Sequence, residues 1–211
     1  MTLIDEHLQL VQSLGLTPAV IDVDTFALGN AFELNAMHSP RVEDEEKVLA
    51  LIDVGSVKTN INIVKNGVPL YTQDLSLGGI NFVDAVQKTF NLSQAEAEAA
   101  VRGDEQVEFD LPQVVRMTAE ELAMGIERSI LYLQTSGESQ PLSRILLTGG
   151  GVRIPGLVEF LAERHQAPVE IANPLKRVQY DPALFGDRRP DAVAPSLTVG
   201  LGLALRKVDD R

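Results

Sequence analysis

The sequence contains no cysteine, which excludes disulfides and thiolate metal sites. Its three histidines, His7, His38 and His165, lie far apart and lack the HExxH spacing of a helical zinc site. Tryptophan is absent and aromatics make up only 5% of residues, so the core must rest on Leu, Val, Ile and Ala. Basic residues are few, 18 against 30 acids, and the formal charge is −12. A field of that sign repels nucleic acid and anionic lipid, so neither is expected as a partner through nonspecific attraction. The acidity is read as serving solubility. No apolar run approaches the roughly 20 residues needed to span a bilayer. The start, Met1-Thr-Leu-Ile-Asp-Glu-His7, lacks the basic and apolar regions of a secretory signal. These absences lead to the expectation of a cytoplasmic chain with no direct membrane insertion. Three familiar chemical signatures are missing too: the P-loop, the G-x-G-x-x-G dinucleotide fingerprint and the G-x-S-x-G nucleophile elbow.

What is present is enough apolar material for a substantial core. With 211 residues, 45% of them hydrophobic, and a mean hydropathy of +0.04, the chain suits one large domain or two small ones. Apolar spacing predicts a helix over 2–14 with Gly15 after it, a short buried strand over 17–24, and a helix over 25–36 with Asp24 as its N-cap. The polar stretch 37–47 reads as an exposed link. Strands follow at 48–53, 60–65 and 68–75, with Asn66-Gly67 as a hairpin turn. Gly78-Gly79 opens a helix. A second helix over 91–103 starts from a Ser93/Glu96 capping box, and 103–112 reads as an acidic loop. A long amphipathic helix covers 113–135. Strands at 144–147 and 169–171 flank a helix opened by Pro155. The loop-rich stretch 173–191 leads to a closing apolar, buried helix over 195–207. There is no internal repeat. The order is that of an α/β layered domain carrying an antiparallel hairpin.

Two segments stand out. Leu51-Ile-Asp-Val-Gly-Ser-Val-Lys-Thr-Asn60 and Leu147-Thr-Gly-Gly-Gly-Val-Arg-Ile-Pro-Gly156 each run from a buried strand into a Gly/Ser/Thr turn, about 95 residues apart. Backbone N–H groups in such turns converge on anions, so the pair suggests one nucleotide gripped from two sides. In the first turn Asp53 stands where a carboxylate holds Mg²⁺ through its waters. Gly55 and Ser56 offer N–H groups to phosphate, Lys58 a point charge and Thr59 a hydroxyl. The alternative is an ordinary hairpin with an Asx-type turn. In the second turn the glycines pass under a ribose or purine, with Arg153 and Ile154 flanking the base. The alternative there is a plain strand-to-helix turn, although three consecutive glycines exceed what one turn requires.

Taken together, these motifs resemble the actin-like ATPase superfamily, with its ribonuclease H-like fold. Asp53-Val-Gly55 to Thr59 is similar to its second phosphate motif. Leu75-Ser-Leu-Gly-Gly-Ile-Asn-Phe-Val-Asp84 is similar to the glycine pair that follows. Leu146 to Gly156 resembles the adenosine motif, and Ile21-Asp-Val-Asp-Thr-Phe-Ala27 the first connecting helix. Further runs resemble the PilM family of type IV pilus assembly proteins: Pro69-Leu-Tyr-Thr-Gln-Asp-Leu-Ser-Leu-Gly-Gly79, Arg128-Ser-Ile-Leu-Tyr-Leu-Gln134, Ala172-Asn-Pro-Leu175, Tyr180-Asp-Pro182 and Gly200-Leu-Gly-Leu-Ala-Leu-Arg206.

The resemblance implies an ATP- and Mg²⁺-binding scaffold of pilus assembly. It would recruit the N-terminal peptide of a PilN-type inner-membrane protein and other assembly-platform proteins, and so lie at the inner membrane through partners. It implies that Asp24 orients Mg²⁺-bound or attacking water, the alternative being its N-cap role. Gly79 contacts the α/β-phosphates. Glu127 contacts the ribose, or else faces solvent. Gly149, Gly150, Gly151, Arg153 and Ile154 contact the adenosine. It also implies a division into a domain I remnant at 1–47, domain II at 48–190 with a helical insertion at about 91–140, and a helix at 191–211 returning to domain I. Val57 and Lys58 depart from the family's usual Gly and Thr/Ser, and the first phosphate motif is missing. Weak or absent ATP hydrolysis is therefore expected. The alternatives are an FtsA-like division protein, a type II secretion platform protein, or an actin-fold ATP-dependent kinase.

Overall fold

The computed structural model of the chain describes residues 2–37, 47–104, 110–137 and 140–206. Most of the proposed link at 37–47 and half of the acidic loop at 103–112 lie outside the described residues.

A sheet of five strands organises the fold, in the order β3-β2-β1-β4-β5. The strands are β1 (Val48–Val54), β2 (Thr59–Lys65), β3 (Val68–Leu75), β4 (Leu142–Thr148) and β5 (Val169–Ile171). β1 pairs antiparallel with β2 and β2 with β3, whereas β1 pairs parallel with β4 and β4 with β5. The hairpin between β2 and β3 turns at Asn66 and Gly67, both at positive φ, as a two-residue turn of primed type demands. β1 is the central strand and is buried on both faces, which explains its unbroken apolar run Val48 to Ile52.

Side-chain alternation along β1 divides the molecule. Val48, Ala50, Ile52 and Val54 enter the large core with Ile61, Ile63, Ile145 and Leu147. That face is covered by α3 (Gly79–Phe90), α5 (Leu111–Thr135) and α6 (Leu157–His165), with α4 (Gln94–Arg102) packed on α3. Leu49 and Leu51 point the other way. With Val64, Leu146, Leu28 and the half-buried Phe32 they form a smaller cluster beneath α2 (Asp24–Met37). α8 (Thr198–Ala204), reached through the short α7 (Pro190–Val193) and a 3₁₀ turn at Ala194–Leu197, packs on α2. The two helices approach so closely that a Cβ on Gly202 would lie 1.8 Å from the Ala27 carbonyl oxygen. Asn62 ties α2 to the sheet by donating to the Thr25 carbonyl oxygen at 2.9 Å, fully buried.

Several local expectations hold. Gly15 follows α1 (Leu3–Ser13) at φ +76°, and Ser93 and Glu96 cap α4 reciprocally. Others need correction. Residues 17–23 form no strand, and Ile21 and Val23 are exposed. The β-branched pattern alone cannot supply a neighbour to hydrogen-bond, so propensity does not become a strand. Asp24 is the first residue of α2, not its cap. α5 begins at Leu111, capped by Asp110, because Pro112 fits a first turn where its missing N–H costs nothing. α6 begins at Leu157 after Gly156, not at Pro155. The closing segment is a 3₁₀ turn and a shorter helix, with Leu203 exposed. No helix among the described residues is long and apolar enough to cross a membrane.

The α2–α8 contact gives a direct test. Gly202→Ala forces the two backbones apart and should lower unfolding free energy by about 1–3 kcal/mol in urea titration. Gly200→Ala, one turn-face away on the exposed side with nothing within 4 Å, should be neutral or stabilising by up to about 1 kcal/mol.

Candidate functional site

Both glycine turns sit at the C-terminal ends of neighbouring parallel strands, β1 and β4, and the second packs on the last residues of β1. Gly149 has φ +84° and ψ −179°, a conformation L side chains rarely adopt. A Cβ there would lie 2.4 Å from the Val54 carbonyl oxygen and 2.7 Å from Asp53 Oδ1. On Gly151 a Cβ would overlap Val54 Cγ1 at 2.3 Å. Two of the three glycines are therefore required by packing against β1. Only at Gly150 does the position of an absent Cβ face open space. The turn is anchored from behind: Gly149 N–H and Thr148 Oγ1 both donate to the Pro195 carbonyl oxygen, at 3.0 and 2.7 Å.

The first turn is held by α3. Gly79 N–H donates to the Gly55 carbonyl oxygen and Ile80 N–H to that of Ser56, both at 2.9 Å. Gly78 permits this approach, since a Cβ on it would lie 2.6 Å from the Ser56 carbonyl oxygen. Within a trans peptide the N–H points opposite to its carbonyl. Anchoring the carbonyls of Gly55 and Ser56 therefore turns the N–H groups of Ser56 and Val57 away from α3. These two are the outward donors of the turn.

This arrangement corrects three expectations. Gly55 N–H is spent on the Lys58 carbonyl oxygen at 3.0 Å, so it is not a phosphate donor. Gly79 N–H is likewise spent on the turn. Thr59 is fully buried and its hydroxyl donates to the Leu77 carbonyl oxygen at 2.7 Å, because β alternation turns residue 59 to the large core. Of the predicted donors only the Ser56 N–H is turned outward, and the Val57 N–H beside it is one that sequence reading missed. A backbone donor carries no residue-type signal, which is why Val57 escaped notice.

Asp53, Asn60 and Asp74 stand in lateral register across β1, β2 and β3, on the α2 side of the sheet. Asn60 Nδ2 donates to Asp53 Oδ2 at 3.3 Å. Lys58 reaches across the same face, its Nζ 2.7 Å from Asp24 Oδ2 and 3.5 Å from Asp74 Oδ2. Asp24, Asp53 and Lys58 are thus brought together as expected, although the first holds Lys58 and does not cap a helix. Asn60 and Asp74 join them, legible only once the strand register is known. Burial pushes the Asp53 carboxyl above the usual carboxylate range; the Asn60 hydrogen bond opposes this, Asp24 adds to it and Lys58 subtracts. The hydrogen bond to Asp24 raises Lys58, so the ammonium is firmly charged.

The remaining predicted residues disperse. Arg153 pairs with Asp104 at 2.6 Å, beyond the end of α4. The Ile154 side chain is buried in the large core and presents no face to a base. Glu127 pairs with Arg164 in the last turn of α6 at 3.0 Å, whereas the glycine turn precedes that helix's first turn. Helical spacing puts Glu127 on the surface facing α6, not at the turns.

The site has a stability signature. Asp53 binds its proton more tightly in the folded chain than unfolded, so its ionisation opposes folding at neutral pH. That penalty shrinks as pH falls through the raised folded value toward the ordinary carboxylate value. Asp53→Asn should therefore raise the apparent Tm at pH 7, by about 2–4 °C per kcal/mol relieved in a chain of this size. The gain should narrow on acidification, as read by thermal unfolding monitored by circular dichroism at a series of pH values.

Comparison with known proteins bears on this geometry. The sequence model of a family described as type IV pilus assembly protein PilM matches residues 2–208. Among solved structures, a PilM–PilN type IV pilus biogenesis complex is similar at 28% identity with a TM-score of 0.80, over 98% of this chain and 58% of that one. The ethanolamine utilization protein EutJ from Carboxydothermus hydrogenoformans is similar at 18% identity and a TM-score of 0.63, over 94% of this chain and 59% of that one. MreB5 of Spiroplasma citri bound to AMPPNP is similar at 14% identity and 0.62, over 97% and 65%. The last two likenesses show a shared actin-like fold. The chain spans about three fifths of the length of each of these three proteins.

Proposed function

We propose, since the chain belongs to the family of type IV pilus assembly protein PilM, that it serves as a nucleotide-responsive scaffold in type IV pilus assembly. The observation that carries the nucleotide reading is the packing of the second turn onto Asp53 and Val54, the end of β1 from which the first turn leaves. Ligands of α/β sheets bind outside the carboxyl ends of strands, and here both turns lie at that edge. Ser56 and Val57 N–H groups face phosphate oxygens. Gly150 leaves room for the nucleoside. The carboxylate of Asp53 fits an outer-sphere Mg²⁺ role, since hard cations that keep their waters need one or two carboxylates. The division of the chain at 1–47, 48–190 and 191–211, with an insertion at about 91–140, belongs to the same proposal.

Lys58 gives the site its response. Without phosphate it bridges Asp24 and Asp74. Lys58 would turn its ammonium to a bound phosphate, and Asp24, the first residue of α2, would then be left to hold a water of a Mg²⁺ ion. The charge change is thereby delivered to the helix that packs against α8. The carboxylates of the cluster, Asp24 and Asp74 on Lys58 and Asp53 under Asn60, are all engaged, which fits binding better than rapid hydrolysis.

The partner reading rests on the likeness to the PilM–PilN complex. The partner would be the N-terminal peptide of a PilN-type inner-membrane protein, with other platform proteins joining through it. Peripheral location at the inner membrane follows from that association.

Isothermal titration tests the nucleotide reading. Mg-ATP should bind one to one, and Lys58→Ala should weaken it about 10–100-fold, as loss of a charged hydrogen bond does. Gly150→Ala should weaken it similarly while leaving unfolding free energy within about 0.5 kcal/mol. No change in either variant, or no binding by the parent chain, overturns the site. Phosphate release should remain far below about 1 s⁻¹, and sustained turnover at that rate would sink the scaffold reading. Fluorescence polarisation of a labelled PilN-type peptide, with and without Mg-ATP, tests partner recruitment; no binding in either state refutes it.

A further inference from the structure

The outer face of α5 carries a line of apolar side chains that no described element covers. Met117, Met124 and Leu131 recur at every seventh residue and are 71%, 43% and 59% exposed. Seven residues make nearly two helical turns, so the three stand in one line about 21 Å long. The outer face of a surface helix is ordinarily polar. Both flanks of the line are fixed. Toward α6, Arg116 pairs with Glu163 at 2.7 Å and Glu127 with Arg164 at 3.0 Å. Toward β3, Ser129 Oγ donates to Gln73 Oε1 at 2.9 Å, and the Tyr132 ring lies 4.9 Å from that of Tyr71. The helix therefore cannot roll to bury the line.

Charge selects what covers it. Glu121 and Arg128, each four residues after a methionine of the line, lie on its β3 side and are exposed. Neither makes an ion pair among the described residues. Consider a second α5 running antiparallel about a two-fold axis at Met124. Met117 then meets Leu131 of the copy, and Met124 meets itself. The same flank of both helices lies on the same side, so Glu121 of each copy faces Arg128 of the other. A parallel pair offers no such match. It sets this flank against the α6 flank, where Arg116 and Glu127 are already engaged. We infer that α5 is a self-complementary surface that pairs two copies of this chain antiparallel, with Met124 on the axis. The result is a closed, isologous dimer. One line of three side chains is a small interface, so the dissociation constant is on the order of 0.1 mM. α5 covers the sheet face opposite the Asp24–Lys58 cluster, so the pairing leaves that cluster open and does not rest on the nucleotide reading.

Sedimentation velocity of the full chain between about 10 μM and about 1 mM tests this, and dimer should grow in with concentration. E121R and R128E each place like charges opposite one another at two points of the dimer, and each should weaken it at least about 10-fold. Mixing the two variants sets every introduced charge opposite its complement, and dimer should return. That recovery also shows that neither variant has lost its fold. Met124→Glu, at the axis, should leave only monomer, with the circular dichroism of the parent chain. Monomer throughout the range overturns the proposal, and leaves the line of side chains to a partner of another kind. A dimer indifferent to the single charge swaps overturns it too, as does failure of the mixture to restore pairing.

Discussion

The contact between Gly149–Gly151 and the end of β1 is the constraint on which the site depends. With no Cβ at 149 and 151, the second turn settles onto the Val54 backbone and side chain and beside the Asp53 carboxylate. Everything else is arranged around that contact. α3 grips the carbonyls of the first turn from one side, and Pro195 grips the second turn from the other. The turns thus become rigid parts of the sheet edge, not loops free to adjust. Preorganised donors of this kind hold an anion without the cost of ordering them at the moment of binding.

That rigidity comes with local opposition. Asp53 sits half-buried beside Asp24, which together push its carboxyl above the usual range, and Asn60 and Lys58 oppose that rise. Lys58 in turn is divided between Asp24 and Asp74. The cluster is a small electrostatic balance that an incoming phosphate and cation would tip, and its mechanical neighbour is α2. Because α2 is locked against α8 by the absence of a side chain at 202, a change at Asp24 reaches two helices at once.

The sequence was legible where chemistry is local. The Asn66-Gly67 turn, the Ser93/Glu96 box and Gly15 after α1 each need only a few adjacent residues, and each was read correctly. β1, β2 and β4 were located for the same reason, since buried strands advertise themselves by apolar runs, and the exposed β3 by the Asn66-Gly67 turn before it. The fold class and family followed from motifs strung along the chain. Reading failed where the answer depended on a distant neighbour. Residues 17–23 have strand-like composition but no described partner strand. Thr59 was assigned to phosphate and Ile154 to a base, yet pleat and packing turn both into the core.

The amino-acid order by itself determined the five strands and most of the helices, the two glycine turns, and the placement of Asp53 and Lys58 near the first of them. These follow from backbone sterics, side-chain period and charge within a short window. Tertiary structure alone decided which donors remain outward, Ser56 and Val57 in place of Gly55, Thr59 and Gly79. It also decided that two of three glycines serve packing, and that Asn60 and Asp74 join the cluster. The physical reason is that a hydrogen-bonding group has a limited number of partners. Which one it takes is fixed by elements tens of residues away in the chain, and no local window contains them.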